Sequence, residues 1–397
     1  MDILNELKPM KQAFPSTVAL IKGAVTFPVS SVVCERSFSR MKLIKNYARN
    51  SMGDERLSDL SVLAIEREFD IDFEKSSRQQ RLDITTFIKA LVQVNIPANA
   101  TWAQNGVTIA GGNSYGDATN QLYRPYGLFV DDDQTVVIAD YGNHHIMQWK
   151  NGDTRIGQVV AGGKGAGNGL HQLSFPTDAL IDKETDSLII CDYGSRRVVR
   201  WSRRSGTTQG EILLDNIYCW GLAMDEQSYL YVSDWKKHEV RRYQLGEKNG
   251  TLVTGGNGKG GGLNQFNVPT YLFVDRRQNV YVSDNENNRV MKWNKGAKEG
   301  IVVAGGQGEG SALAQLSNPN GIFVDTLGTL FVADSNNDRV MRWTQGDKKQ
   351  GTVIVGGNGE GKRANQFNYP VGLSFDRHGN LYVVDHENNR VQRFSIE

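Results

Sequence analysis

The sequence predicts a mainly β fold, a six-bladed β-propeller preceded by a small α-helical segment. Three observations support this fold class. One segment recurs at intervals of about 50 residues, each copy holds four short apolar runs with period-two alternation, and the N-terminal part of the chain has helical spacing instead. Strand-ending aspartates mark the six copies: Asp140, Asp192, Asp234, Asp284, Asp334 and Asp385.

The N-terminal segment, residues 1–69, predicts two short amphipathic helices. Ser30 or Ser31 can cap the first helix and Ser51 the second. Their apolar faces carry Cys34, Phe38, Met41, Ile44, Leu57 and Leu60. Two such helices cannot bury both faces alone, so we expect them to pack together and against a partner.

This segment carries a recognisable motif. The run FPVSS at 27–31, followed by ERSFS at 35–39, resembles the C-terminal dimerisation region of hAT-family transposases. A transposase of this type needs separated carboxylates that hold divalent metal, and only about thirty residues precede Glu35, which leaves no room for that core. The resemblance therefore implies protein dimerisation and not transposition. Residues 70–98 are predicted to be a linker.

Residues 99–397 contain the repeats. One copy reads GIFVD, a polar turn, LFVAD, an Asn-rich turn, RVMRW, a loop and GTVIVGG, which predicts a blade of four antiparallel strands. The last copy stops after its third strand, whereas Thr101–Gly112 has the form of a fourth strand without a blade. We therefore expect Val107–Ala110 to pair beside Val391–Phe394 and to close the ring.

These copies resemble NHL repeats, named for their Asn, His and Leu positions. The clearest copies are VAGGQGEGSALAQLSNPNGIFVDTLGTLFVADSNNDRVMRW and VGGNGEGKRANQFNYPVGLSFDRHGNLYVVDHENNRVQRF. The resemblance covers roughly three quarters of the chain, and it implies a six-bladed ring that presents one face to a ligand.

Composition narrows the class of protein. Lys and Arg number 45 against 44 Asp and Glu, so no strong global attraction to nucleic acid or to anionic membranes is expected. The chain has neither a signal-peptide core nor a membrane-length apolar run, which predicts an intracellular protein, in cytoplasm or nucleus, without a membrane partner. The three cysteines lack a C-x-x-C pair, which favours reduced, buried thiols.

The regular Asp and Arg positions, such as Asp284 and Arg289, are interpreted as structural. Each Asp is expected to cap its own turn, and each Arg to pair locally. The Gly-rich loops lack the Lys-Ser/Thr ending of a phosphate-binding loop, so their glycines are expected to serve turns.

A ligand site is better sought where the repeat departs from its pattern. At the third position of the P-x-G start, blade two has Asp178 and blade four has Tyr271, while blade three replaces the Pro-x pair by Cys219 and Trp220 and lacks the long Gly-rich loop. That shortened loop predicts a notch. The candidate binding residues around it are Asp178, Arg196, Arg197, Trp220, Trp235, Lys236, Lys237, His238 and Tyr271.

The leading hypothesis is a non-enzymatic interaction scaffold that binds a protein or peptide through the propeller and homodimerises through its N-terminal helices. No catalytic residue, metal site or cofactor is predicted, although His144, His238 and His386 share one face. One alternative is a propeller enzyme, a metal-dependent lyase or lactonase. A second alternative is an RNA-binding NHL module, which the balanced charge disfavours.

Overall fold

The computed structural model describes residues 96–97, 99–152, 156–204, 206–344 and 350–397. The predicted N-terminal helices, with their apolar positions from Cys34 to Leu60, lie outside these residues, as does most of the predicted linker. Their helical structure and their dimerisation stay predictions. The propeller lies in the unit Val94–Glu397.

The described residues form six four-stranded antiparallel sheets, each one blade of a ring. Blades one to three contain β2 (Leu128–Val130), β3 (Val136–Asp140), β4 (His145–Trp149), β5 (Gln158–Gly162); β6 (Pro176–Asp182), β7 (Ser187–Asp192), β8 (Arg197–Ser202), β9 (Glu211–Asp215); and β10 (Cys219–Met224), β11 (Tyr229–Asp234), β12 (Glu239–Gln244), β13 (Thr251–Gly255). Blades four to six contain β14 (Pro269–Val274), β15 (Val280–Asp284), β16 (Arg289–Trp293), β17 (Ile301–Gly305); β18 (Pro319–Val324), β19 (Leu330–Asp334), β20 (Arg339–Trp343), β21 (Thr352–Gly356); and β22 (Pro370–Phe375), β23 (Leu381–Asp385), β24 (Arg390–Phe394) with β1 (Val107–Gly111). The first strands of neighbouring blades contact one another, and β22 contacts β2, so the ring is closed. Single 3-10 turns, Tyr141–Asn143, Asn285–Asn287 and Ser335–Asn337, follow the second strand of blades one, four and five.

The predicted closure of the last blade is confirmed. Strand β1 pairs antiparallel with β24, with Val107 opposite Arg393 and Ala110 opposite Val391. Trp102 extends this pairing: it is buried, it bridges to Ile396, and its indole Nε1 donates to the Gly379 carbonyl oxygen at 2.9 Å. The two ends of the propeller therefore share one sheet, which leaves no open edge between them.

The hydrophobic core lies between blades and not inside each one. Six clusters of buried side chains in the described residues each join neighbouring blades. Between blades one and two, for example, Val137 and Ile146 pack with Leu188 and Ile190. Each strand alternates its buried faces toward the two adjacent blades, so a single blade cannot bury its apolar surface alone.

A buried Asp–Arg pair ties each regular blade to the Gly-rich loop before it; we call this arrangement the clamp. In blade four, Asp284 Oδ2 accepts from Arg289 Nε at 2.7 Å, and Oδ1 accepts the Asn267 N–H at 2.6 Å. The remaining guanidinium nitrogens of Arg289 donate to loop carbonyl oxygens, those of Gly261, Gly262 and Gln265. The same ion pair recurs as Asp192–Arg197, Asp334–Arg339 and Asp385–Arg390. The structural interpretation of these residues is confirmed.

One detail of that interpretation is wrong. Only in blade three does the aspartate accept from backbone N–H groups of its own turn, since Asp234 Oδ1 accepts from Lys236 and Lys237. In the other blades the aspartate accepts a backbone N–H of the loop before the first strand, and in blades one, four, five and six it also accepts the side-chain amide of an asparagine of its own turn. Blade three lacks that loop and carries at the Arg position Glu239, which pairs with Arg241 at 2.7 Å.

The expectation of reduced thiols is wrong for two cysteines. Cys191 on β7 and Cys219 at the start of β10 form a disulfide across the junction of blades two and three. Their separation of 28 residues carries no pairing signal in sequence, because only the packing of adjacent blades brings the two positions together. The disulfide joins the blades where the clamp is missing. Cys34 lies outside the described residues.

Candidate functional site

The turns between second and third strands emerge on the same face as the loops that enter each first strand; we call this the upper face. One repeat position on it, directly after the strand-ending aspartate, divides the ring into two halves. It is aromatic in blades one to three, which carry Tyr141, Tyr193 and Trp235. It is polar in blades four to six, which carry Asn285, Ser335 and His386.

In the polar half, this position connects neighbouring blades. Asn285, Ser335 and His386 are buried, and each side chain hydrogen-bonds the carbonyl oxygen of the proline that opens the next blade. The distances are 3.1 Å to Pro319, 2.6 Å to Pro370 and 2.9 Å to Pro125. Burial lowers the pKa of His386, so the neutral ring donates this bond through Nδ1. In these blades the side chain at this position therefore stabilises the contact with the next blade.

In the aromatic half, the same position builds a continuous aromatic surface. Tyr141 lies 4.9 Å from Phe175 of the next blade, measured between ring centroids, and Tyr193 lies 5.5 Å from Trp220. We define the aromatic patch by its seven members: Tyr126, Tyr141, Phe175, Tyr193, Tyr218, Trp220 and Trp235. Phe175 is exposed and the other six are half-buried, so this surface faces solvent.

The patch reaches the centre of the ring. The Tyr126 and Trp220 rings, from blades one and three, meet edge to face at 5.6 Å, and Tyr126 also contacts His386 at 4.5 Å. Burial raises the pKa of Tyr126 and of Tyr141, so both phenols are neutral hydrogen-bond donors near pH 7. The indole Nε1 groups of Trp220 and Trp235 are buried and have no hydrogen-bond partner among the described residues, so the donors at the centre are the phenols. The centre thus offers apolar rings and neutral donors.

Asp178 and Tyr271 lie inside the ring near this centre. Both side chains are buried. The carboxyl oxygens of Asp178 accept the backbone N–H groups of Ala179 and Leu222, each at 2.9 Å. Tyr271 reaches across to blade two, where its hydroxyl donates to the Thr177 carbonyl oxygen at 3.5 Å. Burial raises the pKa of Asp178 to about 7, so this carboxyl is half protonated at neutral pH.

Asp178 and Tyr271 stand where other blades have glycine, at a close approach of adjacent first strands. A Cβ on Gly321 would collide with the Val371 carbonyl oxygen, and one on Gly372 with that of Tyr126, because adjacent first strands approach closely there. A Cβ on Gly127 would meet the Asp178 carboxyl. The side chain at 178 therefore occupies space that glycine in the preceding blade leaves open.

The edge of the aromatic patch is basic. The Arg196 guanidinium and the Lys236 ammonium lie over the Tyr218 ring, 4.9 and 4.5 Å from its centroid. Lys236 Nζ also lies 3.4 Å from the Tyr218 hydroxyl. Lys237 is exposed beside them. Both cations lie next to half-buried aromatic rings on a solvent-facing edge.

Of the nine candidate binding residues, the structure brings Arg196, Trp220, Trp235 and Lys236 together at the patch, with Lys237 at its edge. Arg197 lies elsewhere, buried in the clamp of blade two. His238 binds the segment that leads into blade four, because its Nδ1 accepts the Val268 N–H at 3.3 Å. The sequence reasoning missed the patch residues Tyr126, Tyr141, Phe175, Tyr193 and Tyr218.

The histidines of the upper face do not converge. His144 Nδ1 accepts the Phe175 N–H at 3.1 Å, while His238 and His386 bind different loops. Within the described part of the chain, no group of three or more His, Cys, Asp or Glu side chains has an arrangement that could hold a metal ion.

Comparisons with known proteins agree with the two resemblances. The family model of the hAT family C-terminal dimerisation region matches residues 1–69, and the NHL repeat model matches residues 367–394. A search of curated protein sequences gave no significant match. Over the ranges that the structure describes, no helix is long and apolar enough to span a membrane.

Solved structures share the fold. A structural genomics protein of unknown function from Bacteroides thetaiotaomicron has 18% identity and a TM-score of 0.60, over 75% of this chain and 76% of that one. An auxiliary nutrient binding protein from the same organism has 16% identity and a TM-score of 0.59, over 75% and 77%. A gluconolactonase from Xanthomonas campestris has 14% identity and a TM-score of 0.53, over 77% and 100%. At these identities the likeness concerns the fold alone.

Proposed function

We propose that this protein is a non-enzymatic interaction module whose propeller binds a protein or peptide partner through the aromatic patch. The observation that carries the proposal is the division of one repeat position. Blades four to six use it for buried bonds between blades, and blades one to three give up those bonds for half-exposed aromatic rings.

Replacing the hydrogen bonds between blades by exposed aromatic rings lowers the stability of the fold. A hydrogen bond between blades contributes about 1 kcal/mol, and a solvent-facing aromatic surface leaves apolar area unburied. Contiguous apolar patches with aromatic and Arg side chains are typical of protein interfaces. The Tyr hydroxyls also supply donors for polar atoms of a partner. A binding role explains why three neighbouring blades depart in the same direction.

The enzyme alternative has less support from the geometry. Its best candidate group near the centre is Asp178, because burial raises the pKa of this carboxyl to about 7. However, both carboxyl oxygens already accept backbone N–H groups, that of the adjacent Ala179 and that of Leu222, the latter joining the first strands of blades two and three. A general acid or base must reach a substrate proton, so binding is the function that this arrangement supports better.

The N-terminal segment supports a second element of the proposal, homodimerisation. The match of residues 1–69 to the hAT dimerisation region motivates it. Sizing of the full chain beside a truncated chain that starts at Asn95 tests it: the full chain is expected to run as a dimer and the truncated chain as a monomer. Two monomers would contradict this element.

The patch is tested by giving blades one to three the residues of the polar half. The variant Tyr141→Asn/Tyr193→Ser/Trp235→Asn uses side chains that the repeat already accepts in blades four and five. The control is Leu327→Ser, an exposed apolar residue in the turn between β18 and β19, on the opposite face. Peptides selected from a random library on the full chain are expected to lose at least about tenfold in affinity on the triple variant only. Equal loss on both variants, or none on the triple variant, would contradict the proposal.

A further inference from the structure

We propose that the partner segment is acidic, and that Arg196 and Lys236 around Tyr218 form an anion subsite at the edge of the aromatic patch. This inference rests on the proposed binding function and names the chemistry of its ligand. Arg196 lies in the second-to-third strand turn of blade two and Lys236 in that of blade three, so the subsite spans the junction of these blades.

The two cations are held close to one another. Each lies within 5 Å of the same Tyr218 ring centroid, at 4.9 and 4.5 Å. Tyr218 in turn packs edge to face against Trp235 at 5.9 Å. An anionic group that binds at this edge would attract both positive charges.

No carboxylate in the described part of the propeller neutralises them. Among the described residues, neither Arg196 nor Lys236 makes an ion pair. Other arginines of the same blades do have partners: Arg200 binds Glu211 at 2.6 Å, and Arg203 binds Asp131 at 3.0 Å. Two uncompensated cations beside solvent-facing aromatic rings are therefore a local feature of this edge.

The backbone fixes the subsite. Blade three has no Gly-rich loop before it, and the connection between β9 and β10 spans only 216–218. Two hydrogen bonds hold this short connection: the Ile217 N–H donates to the Arg196 carbonyl oxygen at 2.9 Å, and the Trp235 N–H donates to that of Tyr218 at 3.1 Å. The turns that carry both cations are thus bonded to the segment that carries the ring, so little ordering is required on binding.

Charge across the upper face favours an acidic peptide over RNA. In the polar half the exposed Glu286 would repel an anionic chain that crosses the ring, whereas Glu387 is paired with Arg124 at 3.5 Å. The net charge of the protein is only +1. Nucleic-acid binding relies on many phosphate contacts, whereas two cations next to aromatic rings suit one or two carboxylates of a peptide that also carries apolar side chains.

The test selects short peptides from a random phage-displayed library on the full chain and measures Kd for a selected peptide. The variant is Arg196→Gln/Lys236→Gln. The matched control is Lys248→Gln, an exposed lysine of blade three in the connection between β12 and β13, on the opposite face. We expect enrichment of Asp and Glu among the selected peptides, and a roughly tenfold weaker Kd for the variant alone. Added salt is expected to narrow this gap.

The outcomes separate the two proposals. Selected peptides without acidic enrichment, whose binding is still lost on Tyr141→Asn/Tyr193→Ser/Trp235→Asn, would overturn the acidic class and leave the aromatic patch as the binding surface. Failure of the library to yield peptides that prefer the wild-type chain over this triple variant would overturn both. A mixed-sequence single-stranded RNA that binds more tightly than the selected peptide, and loses affinity on Arg196→Gln/Lys236→Gln, would replace the acidic peptide by nucleic acid.

Discussion

Blades four to six and blades one to three share a backbone plan and differ in how they use the upper face. In the first group, Asn285, Ser335 and His386 bond the next blade, and intact clamps hold the Gly-rich loops. In the second group the corresponding side chains are aromatic. The position of the clamp arginine is occupied by His145 in blade one and by Glu239 in blade three. A disulfide crosses the junction where the clamp is missing.

This difference teaches how a repeat protein makes room for a site. Regular positions in a repeat are repeated because they hold each unit to its neighbour. Where several adjacent blades lack the same hydrogen bond to the next blade, the side chain at that position is available to contact a ligand. Other contacts must then stabilise those blades. The predictions below test the two halves in order of expected effect.

The largest effect is expected from the clamp of blade four. Arg289→Ala leaves the buried Asp284 carboxylate without its ion pair and three loop carbonyl oxygens without a donor, so the free energy of unfolding should fall by about 3–5 kcal/mol. Urea unfolding measures this, with Lys295→Ala as an exposed control. Glu239→Ala, at the same position of blade three, should cost far less. Equal losses of unfolding free energy for Glu239→Ala and Arg289→Ala would contradict the difference between the two halves of the ring.

The disulfide should supply stability at the junction of blades two and three. Cys191→Ser/Cys219→Ser removes a cross-link over 28 residues, which should lower the free energy of unfolding by about 3–4 kcal/mol. Thermal unfolding without reductant measures the loss, and reductant should bring the wild-type chain close to the variant. A wild-type chain whose thermal unfolding is unchanged by reductant and equals that of the variant would contradict this role.

The buried Asp178 should make stability depend on pH. Burial raises its pKa from 3.8 to about 7 in the folded chain, so between these values the folded state binds more protons than the unfolded state. Stability should therefore fall as pH rises, by roughly 2–3 kcal/mol between pH 5 and pH 8 from this group. Asp178→Asn should flatten that slope, and the exposed control Asp117→Asn should not. A variant slope equal to that of the wild type would refute the assignment.

The smallest effect is expected at a single bond between blades. Ser335→Ala leaves the Pro370 carbonyl oxygen without its 2.6 Å donor, at a cost of about 1 kcal/mol. Tyr193, at the same repeat position in blade two, makes no such bond, so Tyr193→Ser should affect ligand affinity more than stability. Chemical denaturation of both variants compares them. A larger loss of stability for Tyr193→Ser than for Ser335→Ala would mean that position 193 is structural as well.

Much of the fold could be predicted from the sequence. The repeat period gives the number of blades, and the alternation of apolar residues gives the strands in each blade. The matching of Thr101–Gly112 to the unfinished last copy also placed β1 beside β24 correctly. The cysteine pair escaped prediction, since only the packing of two blades brings Cys191 and Cys219 together. The N-terminal helices stay a prediction, because they lie outside the described residues.

Some residues of the proposed site were among the candidates predicted from the sequence. Trp220 and Lys236 stood out because blade three breaks the repeat, and both lie at the patch. Tyr141 and Tyr193 were missed, although the signal was present in sequence. Aligned on the strand-ending aspartate, the next residue reads Tyr, Tyr, Trp in three consecutive blades and Asn, Ser, His in the other three. Their contacts across blades, which turn separate aromatics into one surface, appear only in three dimensions.

The central claim, that blades one to three form the binding half of the upper face, is tested most directly by hydrogen exchange on the full chain with and without a selected peptide. We predict slowed exchange in the segments that carry the aromatic patch and its basic edge, at 123–126, 193–196 and 216–220 and around 235–237. The matching turns of blades four and five, at 285–288 and 335–338, should exchange at unchanged rates. Protection centred on blades four to six, or on the opposite face, would contradict the claim.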